Sequence, residues 1–178
     1  MTSKQEARWV LLAQCGDRAA IEQLLRTVQP ALTRYVRAIV GPRYAEDVTQ
    51  EVMVTIYRRI ESLIHPDLLR PWMYRVASRI AFRYLRKERR WPDHLRDDAA
   101  LADLTAADIQ EIGSDVDRLL EDQRVTAASR AVLALHFKEG LTLPEVAAVL
   151  DIPVGTVKSR LAYGLATLRR HYATGETS

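Results

Sequence analysis

Apolar residues recur at intervals of three and four along most of the chain, and this spacing constrains the fold more than any other feature. Such a period places apolar side chains on one face of an α-helix, whereas a half-buried strand would alternate at every second residue. Glycines and prolines interrupt the pattern at short intervals, as they do between helices. Pro30 predicts one such break, between helices near 17–29 and 31–40. The chain is therefore predicted to be all-α.

Charge is distributed unevenly along the 178 residues. Residues 1–90 carry 17 basic and 9 acidic side chains, residues 91–123 carry 2 and 10, and residues 124–178 carry 7 and 4. Two basic segments separated by an acidic one indicate two modules that meet a polyanion, with a connector that does not. We predict two small helical domains joined by an acidic linker. Their limits are 1–90 for the N-terminal domain, 91–117 for the linker, 118–172 for the C-terminal domain and 173–178 for a tail.

Several functional classes are disfavoured by what the sequence lacks. No apolar run approaches the roughly 20 residues that span a bilayer, and the N-terminus lacks the pattern of a signal peptide, so we expect no membrane insertion and a cytoplasmic protein. Cys15 is the single cysteine, which excludes an internal disulfide and a multi-cysteine metal site. The four histidines lack metal-ligand spacing, and no phosphate-binding glycine loop or nucleophile motif is present. We expect no catalytic residue, no metal and no cofactor, and hence a protein that is not an enzyme.

The segment EVAAVLDIPVGTVKSRL, from Glu145 to Leu161, is interrupted at its centre by the turn residues 151–153. Two short helices joined by such a turn, the second polar and basic, are typical of a helix-turn-helix unit that reads DNA. Side chains near the start of the second helix reach base edges, and flanking cations hold phosphates. The alternative is a helical hairpin in an unrelated bundle. The residues predicted to bind DNA here are Thr156, Lys158, Ser159, Arg160 and Tyr163.

In RPWMYRVASRIAFRYLRKERR, which runs from Arg70 to Arg90, the arginines at 75, 79 and 83 are spaced four residues apart. Like charges at that spacing destabilise a helix by about 0.2–0.5 kcal/mol per pair, so a polyanion is a natural partner. Glu88 is the only carboxylate near them in the sequence, and Phe82 lies among them, where an aromatic ring can stack on an unpaired base. The alternative is a solvated basic helix in which Phe82 packs on a neighbour. The predicted DNA-binding residues of this helix are Arg75, Arg79, Phe82, Arg83 and Arg86.

The segment YAEDVTQEVMVTIYRRI, from Tyr44 to Ile60, predicts a helix whose exposed face is acidic. Acids four residues apart in an otherwise basic half of the chain disfavour DNA and favour a basic protein partner. The alternative is that the acids of the first turn only complement the positive end of the helix dipole. The residues predicted to form a protein-docking face are Asp47, Gln50, Glu51 and Val54.

Three segments, in this order and spacing, resemble the extracytoplasmic-function (ECF) group of bacterial sigma factors. They are AEDVTQEV at 45–52, RPWMYRVASRIAFRYLRKERR at 70–90 and GLTLPEVAAVLDIPVGTVKSRL at 140–161. The resemblance implies a sigma factor that binds core RNA polymerase, directs it to specific promoters and initiates transcription. It implies three partners: core polymerase, contacted through the clamp of its largest subunit, promoter DNA, and an anti-sigma factor.

The resemblance also implies a role for each segment. Asp47, Gln50 and Glu51 would lie at the interface with the clamp. The loop at 62–69 would take up a flipped-out base of the minus-ten element, and the helix at 75–90 would hold the melting DNA. The helix-turn-helix would read the minus-thirty-five element.

The chain departs from the family pattern at several positions. Arg79 stands where asparagine is usual, which makes its helix more basic. Val125 and Thr126 replace a usual Leu-Pro pair before the C-terminal domain, and Asp151 replaces a turn glycine. These departures concern promoter sequence and base reading rather than the fold.

Two other classes of protein account for less of the sequence. A stand-alone helix-turn-helix regulator of an operator explains residues 124–172 but gives no role to the acidic face or to the arginine helix. A general RNA- or ribosome-binding protein predicts little sequence preference and no affinity for core polymerase.

Overall fold

The computed structural model describes residues 3–88 and 104–173, and every regular element within those ranges is helical. The predicted all-α fold is confirmed. The chain divides into two compact units, Met1–Glu88 and Arg89–Ser178. The helices are α1 (Ser3–Gln14), α2 (Arg18–Val40), α3 (Ala45–Arg59), α4 (Leu69–Lys87), α5 (Ala106–Ser114), α6 (Val116–Glu121), α7 (Ala127–Leu133), α8 (Leu143–Leu150) and α9 (Val154–Ala173).

Helix α2 runs unbroken from Arg18 to Val40, so the predicted break at Pro30 is wrong. A proline inside a helix removes a backbone hydrogen bond and costs about 3 kcal/mol. A buried stripe continues on both sides of the exposed Pro30 and offsets this cost, because burying each large apolar side chain contributes about 1.5–3 kcal/mol. The buried side chains of this stripe are Leu24, Val28, Leu32, Tyr35, Val36 and Ile39.

The N-terminal unit is assembled on α2, against which α1, α3 and α4 all pack. The rings of Tyr35 and Tyr74 meet edge to face with their centroids 5.1 Å apart, fully inside the core. Ser78 Oγ donates to the Tyr74 carbonyl at 2.7 Å, so it accepts from the Tyr35 hydroxyl at 2.6 Å, because a serine has one hydroxyl hydrogen. This buried chain of hydrogen bonds fixes the rotation of α4, and therefore determines which of its side chains face outward.

In the C-terminal unit, α8 and α9 form the helix-turn-helix that the sequence predicts. Helix α8 begins with a capping box, in which the Glu145 carboxylate accepts from the Thr142 hydroxyl and from the Thr142 backbone N–H. These hydrogen bonds hold the pKa of Glu145 below its usual range. The side chains that pack α8 and α9 into the core are Val146, Ala147, Val149, Val157, Leu161, Leu165 and Leu168.

The turn between α8 and α9 depends on Asp151, which ends α8 in the left-handed conformation at φ 57° and ψ 49°. Its backbone N–H donates to the carbonyl of Ala147 and closes the helix. Among non-glycine residues, aspartate is one of the few that adopt this conformation with a modest penalty. Asp151 can therefore take the place of the turn glycine that the resemblance leads one to expect.

Part of the segment predicted to be an acidic linker is folded. Residues 91–103 of it lie outside the described residues, but α5 packs on α9 in the C-terminal unit. Ile112 is fully buried, and a Cβ added at Gly113 would lie 3.3 Å from the ring of Phe137. Ile112, Val116 and Leu119 are buried and follow one another at helical spacing. This apolar pattern indicates helix, but the many acidic residues around it made the segment look like a linker in the sequence. The linker limits of 91–117 stay a prediction. The structure adds that α5, which lies within these limits, packs with the C-terminal unit.

Helix α5 is attached to α9 by charge as well as by apolar packing. Arg169 of α9 donates to Glu111 at 2.9 Å and to Asp108 at 2.7 Å. Hydrogen bonds from Thr105, and secondarily from Arg169, lower the pKa of Asp108. Hydrogen bonds to Glu111, and to a smaller extent to Asp108, raise the pKa of Arg169. The acidic side chains of α5 are thus partly neutralised within this unit.

We predict that Asp151→Gly will stabilise the protein. Glycine removes the left-handed penalty, which exceeds the extra entropy that glycine loses on folding, so the free energy of unfolding should rise by about 0.5–1 kcal/mol. The control is Asp115→Gly, because Asp115 also follows a helix but has φ −115° and gains nothing from glycine. Chemical denaturation measures both variants. A loss of stability in Asp151→Gly would show that its side chain contributes more than its backbone costs.

Candidate nucleic-acid interface and the adjoining acidic face

The outward side of α4 carries four exposed arginines, which we call the arginine face. They lie opposite the buried side chains that dock α4 on α2 and α3. Phe82 is half-buried beside them. The members of the arginine face are Arg75, Arg79, Arg83 and Arg86.

An ion pair joins α4 to α3, which the sequence did not reveal. Arg83 donates to the carboxylate of Glu51, and their side chains are 60% and 51% exposed. Glu88 is the only carboxylate near these arginines in the sequence, but the fold brings Glu51 to them as well. Glu51 and Arg83 are 32 positions apart, and spacing within one helix says nothing about charges on a helix packed beside it. An exposed pair of this kind contributes at most about 1 kcal/mol, so it can be exchanged for other contacts.

The outward side of α3 carries the residues that the sequence predicts for protein docking, which we call the docking face. Asp47, Gln50 and Glu51 are exposed, and Val54 is 42% exposed. The helix positions them by burying Val48, Val52 and Ile56 on its other side.

Tyr57 extends the docking face by one turn beyond Val54 and is 53% exposed. The sequence-based prediction missed it, although its spacing of three from Val54 places the two side chains on one stripe. A large exposed aromatic beside an exposed valine is the composition of an interface centre rather than of a solvated surface.

In the helix-turn-helix, the first turns of α9 present a small polar surface. Lys158 is exposed, and Thr156 and Arg160 are half-buried. Val154, at the start of α9, is 38% exposed. These residues combine hydrogen-bonding groups with two cations, as a DNA-reading helix requires.

Two further residues predicted to bind DNA are engaged within the protein. Ser159 is only 9% exposed and its hydroxyl donates to the Gly155 carbonyl at 3.0 Å, so its predicted place on the exposed face is wrong. The Tyr163 hydroxyl donates to the Arg124 carbonyl at 3.0 Å and holds the segment that precedes α7. Serine and tyrosine can serve either purpose, and helical spacing alone does not decide between them.

The loop between α3 and α4 contains 3₁₀ turns at Ile60–Ser62 and Pro66–Leu68. Leu63 and Leu69 are buried and anchor the loop, whereas Ile64 between them is 85% exposed. Such an exposed apolar side chain on an anchored backbone is available to a partner.

Residues 3–88 and 104–173 bring no three His, Cys, Asp or Glu side chains together as a metal ion requires. No helix in the part of the chain that the structure describes has the length and apolarity to cross a membrane.

Both units match known families. Residues 24–91 match the family described as Sigma-70 region 2, and this range includes the docking face and the arginine face. Residues 123–170 match Sigma-70, region 4, which here includes the helix-turn-helix. An ECF RNA polymerase sigma-E factor of Haemophilus influenzae is 29% identical over 160 residues, covering 83% of this chain and 85% of the relative. The chain belongs to the ECF group of sigma factors.

Other comparisons agree with this assignment. The RNA polymerase sigma-H factor of Pseudomonas aeruginosa is 28% identical to this sigma factor over 174 residues, which cover 90% of each chain. Among solved structures, CnrH in complex with the cytosolic domain of CnrY has a TM-score of 0.62 at 22% identity, covering 93% of this chain and 97% of that one. That likeness concerns the fold. The predicted family and the predicted function, a promoter-specific sigma factor of RNA polymerase, are both confirmed.

We predict that Tyr163→Phe will lower the stability of this sigma factor without lowering its affinity for DNA. The variant loses one hydrogen bond, so the free energy of unfolding should fall by about 0.5–1.5 kcal/mol, while affinity for duplex DNA stays the same. Lys158→Ala is the matched control, with weaker DNA binding and unchanged stability. If Tyr163→Phe kept normal stability but bound DNA tenfold less tightly, the Tyr163 hydroxyl would instead belong to the DNA interface.

Proposed function

We propose that this sigma factor joins core RNA polymerase through the docking face of α3, with the clamp of the largest subunit as its partner. The observation that carries the proposal is the presence, within one unit, of an acidic and apolar face on α3 beside the arginine face of α4. Acids repel DNA, whereas arginines attract it, so the two faces suit two different partners.

The composition of the docking face supports a protein partner. Val54 and Tyr57 supply apolar area, while Asp47 and Gln50 lie on the same stripe and supply charge and hydrogen bonds. Interfaces commonly have an apolar centre and a polar rim, and complementary charge governs the choice of partner. A basic, partly apolar surface on the polymerase is the matching chemistry.

We predict that reversing the charge of Asp47 and Glu51 to arginine will lower the affinity for core polymerase by roughly 100-fold or more, because like charges across an interface cost several kcal/mol. Helical content should stay unchanged. Affinity is measured by fluorescence titration of labelled protein with core enzyme, and Glu22→Arg on α2 is the control for charge alone.

A charge swap separates docking from the internal ion pair. Glu51→Arg combined with Arg83→Glu recreates a pair between α3 and α4 but still reverses the charge of the docking face at Glu51. The swapped protein should remain weak in polymerase binding. If the swap restored full affinity, Glu51 would act only by positioning α4.

We propose that the arginine face and Phe82 hold the minus-ten region as it opens. Stacking of one base on an aromatic ring is worth about 1–3 kcal/mol, which shifts a near-balanced opening equilibrium about tenfold or more. The arginines neutralise phosphates of the DNA backbone. Binding there competes with the Glu51–Arg83 pair only weakly, since that pair is exposed.

We predict that Arg79→Ala will leave polymerase binding and the closed complex nearly normal but reduce the open complex. A template already mismatched across the minus-ten region should restore much of the transcription. Run-off transcription with permanganate footprinting on paired and mismatched templates measures this, with Arg34→Ala on α2 as the control for net charge. Equal losses on both templates would assign the arginine face to general DNA affinity.

We propose that the start of α9 reads the minus-thirty-five element. In this proposal the half-buried Thr156 and Arg160 discriminate bases, and the exposed Lys158 holds phosphate. Ser159 is not included, because its hydroxyl is bonded within α9.

We predict that Thr156→Ala and Arg160→Ala will each change which promoter sequences are chosen, by about 1–3 kcal/mol per base contact. Lys158→Ala should weaken binding to all sequences alike. Selection from a randomised minus-thirty-five library, compared with binding to non-specific duplex, measures both effects. A change of preferred sequence in Lys158→Ala, with none in Arg160→Ala, would reverse these two roles.

We also propose the remaining properties of the protein. It carries no catalysis or cofactor of its own, since sigma factors are initiation factors and the polymerase performs the chemistry. It works in the cytoplasm with polymerase and DNA. An anti-sigma factor is a further proposed partner, supported by the fold similarity to CnrH, which was solved with the cytosolic domain of CnrY.

A further inference from the structure

The side chain of Gln14 connects the end of α1 to the loop between α3 and α4. Its amide nitrogen donates to the carbonyl of Ile60 at 3.0 Å and to the carbonyl of Leu63 at 2.8 Å. An amide nitrogen has two hydrogens, so both bonds form at once. The partners lie 46 and 49 residues from Gln14 in the chain, which makes this a tertiary connection and not a local turn.

The two carbonyls lie at the start of a short helical turn and directly after its end. The turn Ile60–Ser62 is a single 3₁₀ turn, closed by the Leu63 N–H on the Ile60 carbonyl at 3.2 Å. Carbonyls at the end of a short helical turn have no further intrahelical donors. Gln14 gives the Ile60 carbonyl a second donor and also donates to the Leu63 carbonyl, directly before the exposed Ile64.

A second connection from α1 holds the other end of the loop. Arg70, in the first turn of α4, forms two hydrogen bonds with Glu6, Nε to Oε2 at 3.1 Å and Nη2 to Oε1 at 2.8 Å. The carboxylate of Glu6 is nearly buried at 4% exposure, so this paired geometry is held firmly. Helix α1 therefore attaches to the chain on both sides of residues 64–69.

We propose that Gln14 is a positioning residue for promoter opening, which fixes the backbone of the loop at 62–69 before DNA arrives. This inference rests on the proposed function of the N-terminal unit at the minus-ten element, together with the role that the family resemblance implies for this loop, the uptake of one base. A base that is captured by a rigid loop is discriminated by fit, whereas a mobile loop adapts to any base and loses affinity on ordering. Gln14 contacts the loop backbone and has no part in touching DNA, so its effect is on discrimination.

The first test uses hydrogen exchange on the free, full-length protein. Gln14→Met keeps the length and packing of the side chain but removes both donors, and Gln5→Met is the matched control on an exposed position of α1. Amides of residues 62–69 should exchange about tenfold faster in Gln14→Met, with no change in Gln5→Met and none in α2. Unchanged exchange in the loop would overturn the proposal. If Gln14→Met lost its cooperative thermal transition, Gln14→Asn, which keeps the amide on a shorter side chain, replaces it.

The second test measures base discrimination in transcription with core polymerase. Pre-opened templates carry each of the four bases, in turn, at every minus-ten position of a promoter that the wild-type protein selects. Gln14→Met should reduce the preference at one position by about tenfold while leaving minus-thirty-five preference intact. An equal loss at all positions, or faster exchange with unaltered preference, would overturn the positioning role. Absence of promoter-specific transcription by wild type and Gln5→Met alike would instead refute the proposed function, and the positioning role with it.

Discussion

Helix α2 supplies the buried surface on which α1, α3 and α4 are all oriented, and the functional faces of the N-terminal unit depend on it. Its continuous apolar stripe keeps the helix intact through Pro30, and the buried Tyr35 fixes the rotation of α4 through Ser78. Because α3 and α4 bury one side each, their acids and arginines can only face outward. Truncating a core residue such as Leu32 to alanine would cost about 2–5 kcal/mol and would disturb both faces together.

The two faces meet at the pair between Glu51 and Arg83. This contact gives the N-terminal unit a boundary between a surface suited to protein and one suited to nucleic acid. The pair is exposed and contributes little to stability, so both side chains remain available to partners. The C-terminal unit uses another arrangement, in which the start of α9 is presented by a capped α8 and a left-handed turn at Asp151.

Features specified by neighbouring residues were predictable from the sequence. The helix-turn-helix, its turn at 151–153 and the arginine face follow from spacing within single helices. Contacts between distant segments were not predictable, since periodicity carries no information about which helix lies beside which. The Glu51–Arg83 pair and the bonds of Gln14 to Ile60 and Leu63 belong to this class. The orientation of Ser159 was also not predictable, because a small polar residue at the edge of a helical face can point toward the solvent or toward the protein.

One polypeptide connects core polymerase to particular promoters through two helical units. The most direct measurement is transcription from a library of genomic fragments by core polymerase, with and without the purified protein. We predict a small set of new start sites that require the protein, with one copy bound per polymerase. Binding to palindromic operator DNA as a dimer, with no affinity for core enzyme and no new start sites, would contradict the account.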